Sequence, residues 1–213
     1  MLPYTSEVLF AQFHTYNEAL RPVPVLALLL ALAAVYLAAR SSQDRSRLIL
    51  AILAGGWLWT GLVYHFLYFA DLNFAAPAYG IVFLLQGAFL CWAGVVRRRV
   101  TIAFDGSPGA WVGVGIAVLA LAGVPLADSV GGAGWTGVRF ALIAPESTAL
   151  LTLGILTMAR GRSRLALTAI PALWTLVAVA HAWVLDIPQD YALPAAALAA
   201  LLMPRKARRA EEA

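Results

Sequence analysis

Hydrophobic residues fall along this chain in long blocks, broken at intervals by short clusters of charged, glycine and proline residues. The first block differs from the rest. Between Ser6 and Leu20, the side chains Leu9, Phe13, Tyr16 and Leu20 recur at helical spacing on one stripe. This predicts a short amphipathic helix (6–20) lying along a membrane surface. Arg21-Pro22-Val23-Pro24 ends it, because proline cannot continue a helix from within. Seven apolar segments follow, at 22–40, 48–70, 78–96, 110–127, 137–159, 165–185 and 187–203. Each is near the length of about 20 residues that an α-helix needs to cross a bilayer. Turn-forming residues separate them: Ser41-Ser42-Gln43-Asp44, Asn73 with Pro77, Asp105-Gly106-Ser107-Pro108-Gly109, Gly131-Gly132, Gly161 and Pro188-Gln189-Asp190. The expected fold class is therefore an all-α integral membrane protein of seven transmembrane helices, forming one membrane domain over 1–213.

Composition narrows this further. Of 213 residues, 62% are apolar and 12% charged, and the mean hydropathy is +0.81. Soluble domains carry about 25% charged residues, so an ordinary soluble enzyme, a disordered chain and a disulfide scaffold are excluded. The single cysteine, Cys91, allows no intramolecular disulfide. No secretory signal peptide is expected, since Arg21 is the only basic residue just before the first long apolar run.

The distribution of charge sets an orientation. Arg40, Arg45 and Arg47, then Arg97, Arg98 and Arg99, then Arg160, Arg162 and Arg164 occupy every second connection, and Arg205, Lys206, Arg208 and Arg209 the tail (204–213). The alternate connections carry Asp71, Asp128, Asp186 and Asp190. Positive residues stay on the cytoplasmic side of short loops. This predicts an outer N-terminus and a cytoplasmic C-terminus. It also accounts for the pI of about 9.6 through anionic lipid headgroups rather than nucleic acid, so the bilayer is the expected partner.

An internal repeat emerges from landmarks in the second and sixth segments. Arg47, Trp57, His65, Asp71 and Pro77 correspond to Arg164, Trp174, His181, Asp186 and Pro194, at offsets of 117, 117, 116, 115 and 117. Residues 22–96 and 137–203 then read as parallel three-helix units. Segment 110–127 is the linker that lets the second unit enter in the same direction, with Gly113, Gly115 and Gly123 permitting close packing. Parallel repeats place binding sites between the halves.

Ionisable groups inside a span are costly, so they mark function by default. Glu146 lies about nine residues into the fifth segment and follows Pro145, whose ring would break the helix; Arg139 could pair with it instead. His65 and His181 could face each other across the axis, binding a metal or relaying a proton, or could be ordinary interfacial histidines. Tyr64 and Gln86 could line the same cavity or satisfy a neighbour, and Thr148 continues the face of Glu146 as a further candidate. Trp57 and Trp174 could hold a solute from two sides or simply pack the core. Glu146, His65 and His181 are the candidate metal ligands, without a His-x-x-x-His or Cys-x-x-Cys pair to support them. Trp135 and Trp183 read as outer interfacial anchors and Trp92 and Trp111 as inner ones, while Asn17 and Glu18 could cap the cavity from outside.

The order of segments resembles the seven-helix, three-plus-one-plus-three sugar transporters and their proline-glutamine-loop relatives. Their Pro-Gln dipeptides lie within helices, whereas Pro188-Gln189 falls in a loop, so no residue role carries over. Met1-Leu2-Pro3-Tyr4-Thr5, Tyr16-Asn17-Glu18, Trp57-Leu58-Trp59 with Tyr64-His65, and Pro188-Gln189-Asp190 resemble an uncharacterised bacterial multi-pass membrane family. That resemblance implies a bacterial inner-membrane location and supplies no activity. It also implies a Cys-Pro-Thr at the fifth-segment break, where Glu146-Ser147-Thr148 stands here, against a thiol-based metal role. Microbial rhodopsins share the topology, but the only lysine, Lys206, lies beyond the last segment, so covalent retinal is excluded.

Three functions compete. The first is a transporter of a small solute or ion, with a central polar site open to the outside. The second is a non-catalytic subunit or assembly factor of a membrane complex, with a protein partner or a second copy of the chain. The third, an intramembrane metal-dependent hydrolase, needs three or more ligands at one depth. A non-enzymatic role is favoured.

Overall fold

In the computed structural model, which describes residues 4–40 and 42–203, nearly all regular structure is helical. The tail with its four basic residues, Met1-Leu2-Pro3 and Ser41 lie outside the described residues. The helices are α1 (Ser6–Ala19), α2 (Val23–Ala38), α3 (Gln43–Phe69), α4 (Ala76–Val96), α5 (Pro108–Ala133), α6 (Pro145–Thr157), α7 (Arg164–Leu185) and α8 (Leu193–Leu202). Two short strands, β1 (Thr101–Ile102) and β2 (Ala159–Arg160), pair antiparallel.

Among the described residues four helices, α3, α4, α5 and α7, are long and apolar enough to cross a membrane. Counting α1 and α2, bent by 91°, as one broken span gives a fifth. The other expected segments are shorter, and proline explains two of them. Pro145 disfavours the α conformation in the residue before it, and Ala144 is extended (φ −117°, ψ 144°), so α6 starts eight residues later than the sequence suggested. At the last segment, Asp186 turns left-handed (φ 55°) and Pro188–Ala192 winds as a tight 3-10 turn, leaving ten residues for α8. The paired units of the expected repeat therefore differ in length: their third helices have 21 and 10 residues.

All thirteen residues of α6 are buried. At 1.5 Å per residue it is about 20 Å long, and α5, α7 and α8 pack around it. Its approach to α5 depends on two glycines. A Cβ on Gly154 would lie 2.6 Å from the Gly113 carbonyl oxygen, and one on Gly113 would lie 2.5 Å from that of Gly154. Gly115 faces open space and Gly123 meets only Leu119 of its own helix, so of the three expected packing glycines only Gly113 serves in this way.

The exterior is unusually apolar, and polar groups are scattered through an apolar core. Leu26, Leu29, Leu85, Leu173 and Leu198 are exposed, whereas Ser147, Thr148, Thr152 and Gln86 are fully buried. Such an apolar exterior suits association with a membrane. Trp92, Trp111, Trp135 and Trp183 are all exposed.

The connections gather at two ends. At one, β1 joins the α4–α5 connection to the α6–α7 connection. Ser46 Oγ accepts from Ile102 N, the Phe104 backbone N–H donates to the Ala38 carbonyl, and Arg160 pairs with Asp105. This end carries the arginine-rich connections. Asp128, Arg139 and Asp190 meet at the other.

The amphipathic helix departs from expectation. Its buried side chains are Leu9, Phe13, Tyr16 and Asn17, with Leu20 only half-buried. This face is turned onto the helices, not into lipid: Phe13 stacks on Tyr64 at 4.9 Å, and Tyr16 meets Tyr68 edge-on at 4.9 Å. The helix also straps down the non-helical stretch before α6. Asn17 Nδ2 donates to the carbonyls of Thr136 (2.8 Å) and Val138 (2.9 Å), and Tyr16 OH donates to that of Ile143 (3.0 Å). Irregular backbone shielded from water needs such protein partners. Glu18, expected to cap the cavity beside Asn17, instead pairs with Arg21 at the surface.

Candidate functional site

Five of the residues singled out in the sequence meet at one place. A small, partly enclosed chamber of about 20 Å³ lies near the acidic end, walled in part by Tyr64, His65, Glu146, Trp174 and His181. The second half of α3, Thr60–Phe69, is wound as a π-helix. Its wider turn rotates successive residues less far around the axis, so the adjacent Tyr64 and His65 are both buried. Glu146 enters differently from expectation. Pro145 opens α6 instead of breaking it, so Glu146 sits in the first turn, where the helix dipole favours a negative group.

Several buried polar atoms here have no hydrogen-bond partner in the protein: both ring nitrogens of His65, Oε2 of Glu146 and Nε1 of Trp174. Such atoms are rare in folded chains and call for an explanation at each site. Around them the wall is aromatic. His65 packs on Phe83 at 4.7 Å and edge-on to Trp174 at 5.5 Å, and Tyr79 touches both Trp174 and His181. Tyr4, just outside α1, also lines the chamber. Burial pushes its hydroxyl up to about 12, so it stays neutral, and Asn73 Nδ2 donates to it at 3.2 Å.

Beside Glu146 lies an ion cluster that sequence reasoning did not assemble. The Arg139 side chain is 1% exposed. Its Nε and Nη2 donate to Asp128 (2.9 and 2.6 Å), and its Nη1 and Nη2 to Asp190 (2.6 and 2.9 Å). Its backbone N–H also reaches Asp128, and Ser147 Oγ holds its carbonyl at 2.6 Å. Glu146 is a weaker neighbour, 3.7 Å from Nη1, so the Arg139–Glu146 pair weighed from the sequence is secondary to the aspartates. A signal for this cluster was present. Arg139 and Arg21 are the only basic residues outside the arginine-rich connections and the tail.

Gln86, Trp57 and Thr148 do not reach the chamber wall, and each has a structural partner. Pro171 cannot donate to the carbonyl one turn back, and Gln86 Nε2 donates to that carbonyl, of Leu167, at 2.8 Å. Trp57 Nε1 donates to Thr152 Oγ1 at 2.8 Å. Thr148 Oγ1 donates to the carbonyl of Ala144, four residues earlier in its own helix. His65, His181 and Glu146 share the chamber without forming a ligand set: among the described residues no three His, Cys, Asp or Glu side chains are placed to hold a metal ion. The hydrolase reading therefore lacks a metal centre among them.

Above the chamber lies an open vestibule of about 650 Å³, lined by Glu7, His14, Asp186 and Gln189. Ile187 walls both spaces.

Fold and site together define a helical, membrane-compatible protein with a small buried polar chamber at one end. The chain belongs to the DUF6064 family, a family of unknown function whose model matches residues 6–213. No curated protein and no solved structure matches it.

Proposed function

We propose that this chain is a multi-pass protein of a bacterial inner membrane that binds and transfers a small polar solute or ion at the chamber between α3, α6 and α7. In this reading α2, the 137–157 stretch and the 188–202 stretch also pass from one end to the other, giving seven crossings. The arginine-rich end faces the cytoplasm, and the vestibule opens outward. The two units, 22–96 and 137–203, would be distant repeats.

One observation carries the reading: His65, Glu146 and Trp174, each with a buried polar atom that lacks a hydrogen-bond partner, line one small space. The neighbouring charges strengthen it. Asp128, Asp190 and Glu146 surround one arginine, an excess of two negative charges when all are ionised, which favours uptake of positive charge. Acidic Glu7 and Asp186 at the vestibule would concentrate cations before entry.

Reconstitution tests this. Liposomes carrying the purified protein and an internal pH-sensitive dye should dissipate an imposed ion gradient faster than protein-free liposomes, and Glu146→Gln should remove the difference. Equal rates for wild type and empty liposomes, across protons, alkali cations and ammonium, would reject the transport reading.

The subunit reading has its own support. An apolar groove of about 490 Å³ runs between α2 and α3, lined by Leu26, Leu30, Gly55 and Trp59, and a Cβ at Gly55 would meet nothing within 4 Å. A stable partner recovered on gentle solubilisation, together with absent flux, would favour this second reading.

A further inference from the structure

We infer that the chamber holds a single water molecule linking Glu146 to His65, and that the ion handled at this site is the proton. The inference rests on the chamber assigned above and narrows its ligand.

Size is the first argument. A water molecule needs roughly 10–15 Å³ of such space and two to four polar partners. The chamber offers about 20 Å³, room for one water and too little for a solute of several heavy atoms.

Polarity is the second. Glu146 Oε2 accepts, the Trp174 indole N–H only donates, and a neutral His65 carries one nitrogen that donates and one that accepts, neither of them engaged by the protein. A water molecule serves all three, since it both donates and accepts. A bare metal cation would meet the indole N–H with like polarity, and an anion would meet the Glu146 carboxylate.

The transfer balances. Protonated Glu146 gives its proton to the water while the water passes one of its own to His65. Glu146 is left as carboxylate, the water is restored and His65 becomes imidazolium. The step is reversible: the imidazolium returns its proton through the same water to the Glu146 carboxylate, which restores neutral His65 and protonated Glu146. Every charged or titratable neighbour bears on this step. Arg139 and Asp190 border the chamber beside Glu146, with Asp128 behind them on the guanidinium. Tyr4 and His181 complete the polar wall, Tyr64 lies next to His65 on α3, and Tyr79 packs on His65 from α4. The surplus of carboxylates stabilises the imidazolium formed midway.

Infrared difference spectroscopy on the full-length protein in lipid nanodiscs tests this as pH is stepped. The inference expects a protonated-carboxyl band that Glu146→Gln removes and that shifts in His65→Gln. It also expects a water-stretching difference band that moves in H2 18O. The isotope measurement uses unaltered protein, so it stands even where a variant fails to fold. A Glu146 band with no isotope-sensitive water band overturns the inference, as does the absence of any titrating Glu146 band. A water band without flux in liposomes would leave the relay standing and remove the transport reading. Flux of another solute without a water band would do the reverse.

Discussion

Arg139 and Asp190, 51 residues apart in the chain, are joined by two hydrogen bonds of 2.6 and 2.9 Å in a site almost sealed from solvent. The same guanidinium grips Asp128 on α5, so one side chain ties α5, the stretch before α6 and the turn before α8 together. The roof of the chamber is thus held by charge.

Removing that arginine should be severe. Breaking a buried ion pair from one side leaves uncompensated charge and costs about 3–5 kcal/mol. Arg139→Met should therefore lower the thermal unfolding midpoint sharply in detergent or nanodiscs, and the triple change with Asp128→Asn and Asp190→Asn should recover part of the loss. An unchanged midpoint in Arg139→Met would show that the cluster does not hold the fold.

Asn17 should matter more than its place on a peripheral helix suggests. Its amide satisfies two carbonyls of the non-helical stretch, and each buried acceptor left unpaired costs about 1–3 kcal/mol. Asn17→Ala should destabilise the protein and speed amide hydrogen exchange at residues 136–143 ahead of the helices. Uniform exchange with wild type would contradict the strap.

Gly154→Ala tests the α5–α6 contact. The added methyl meets the Gly113 carbonyl at 2.6 Å, and overpacking of this kind costs about 1–3 kcal/mol. Gly115→Ala, facing open space, should leave stability unchanged when measured beside it.

At the arginine-rich end, hydrogen bonds from Ser107, then the Arg160 guanidinium, hold the Asp105 carboxyl well below the usual carboxylate range. A lowered folded-state pKa contributes stability that is complete above the unfolded value, about 3.9 for aspartate, and is lost as pH falls through the folded value. Wild type should therefore exceed Asp105→Asn in stability at neutral pH, and the two should converge on acidification. A gap that persists in acid would rule out this linkage.

The sequence made the chamber legible where cost was the signal. Glu146, His65 and His181 stand out because membrane-spanning segments rarely carry them, Tyr64 enters as the neighbour of His65, and all four border one space. Gln86 and Trp57 follow the alternatives weighed beside a cavity role: the Gln86 amide serves a carbonyl that Pro171 cannot engage, and Trp57 packs in the core against Thr152. Arg139 is legible as a partner for Glu146, but its pairing with Asp128 and Asp190 is not, because single charges near segment ends look like solvated loop residues and only folding brings together positions 11 and 51 apart. The start of α6 was misplaced for a local reason. Proline fits the first turn of a helix as readily as it breaks the middle, and apolar periodicity does not separate the two.

The central claim is that Glu146 in its chamber is the working group of this protein. The initial rate of proton flux into dye-loaded liposomes tests it most directly, with wild type, Glu146→Gln and Asp105→Asn compared at equal amounts of folded protein. The account predicts flux for wild type and for Asp105→Asn, whose change lies at the opposite end, and loss to the empty-liposome rate for Glu146→Gln. Wild-type flux in Glu146→Gln would contradict it.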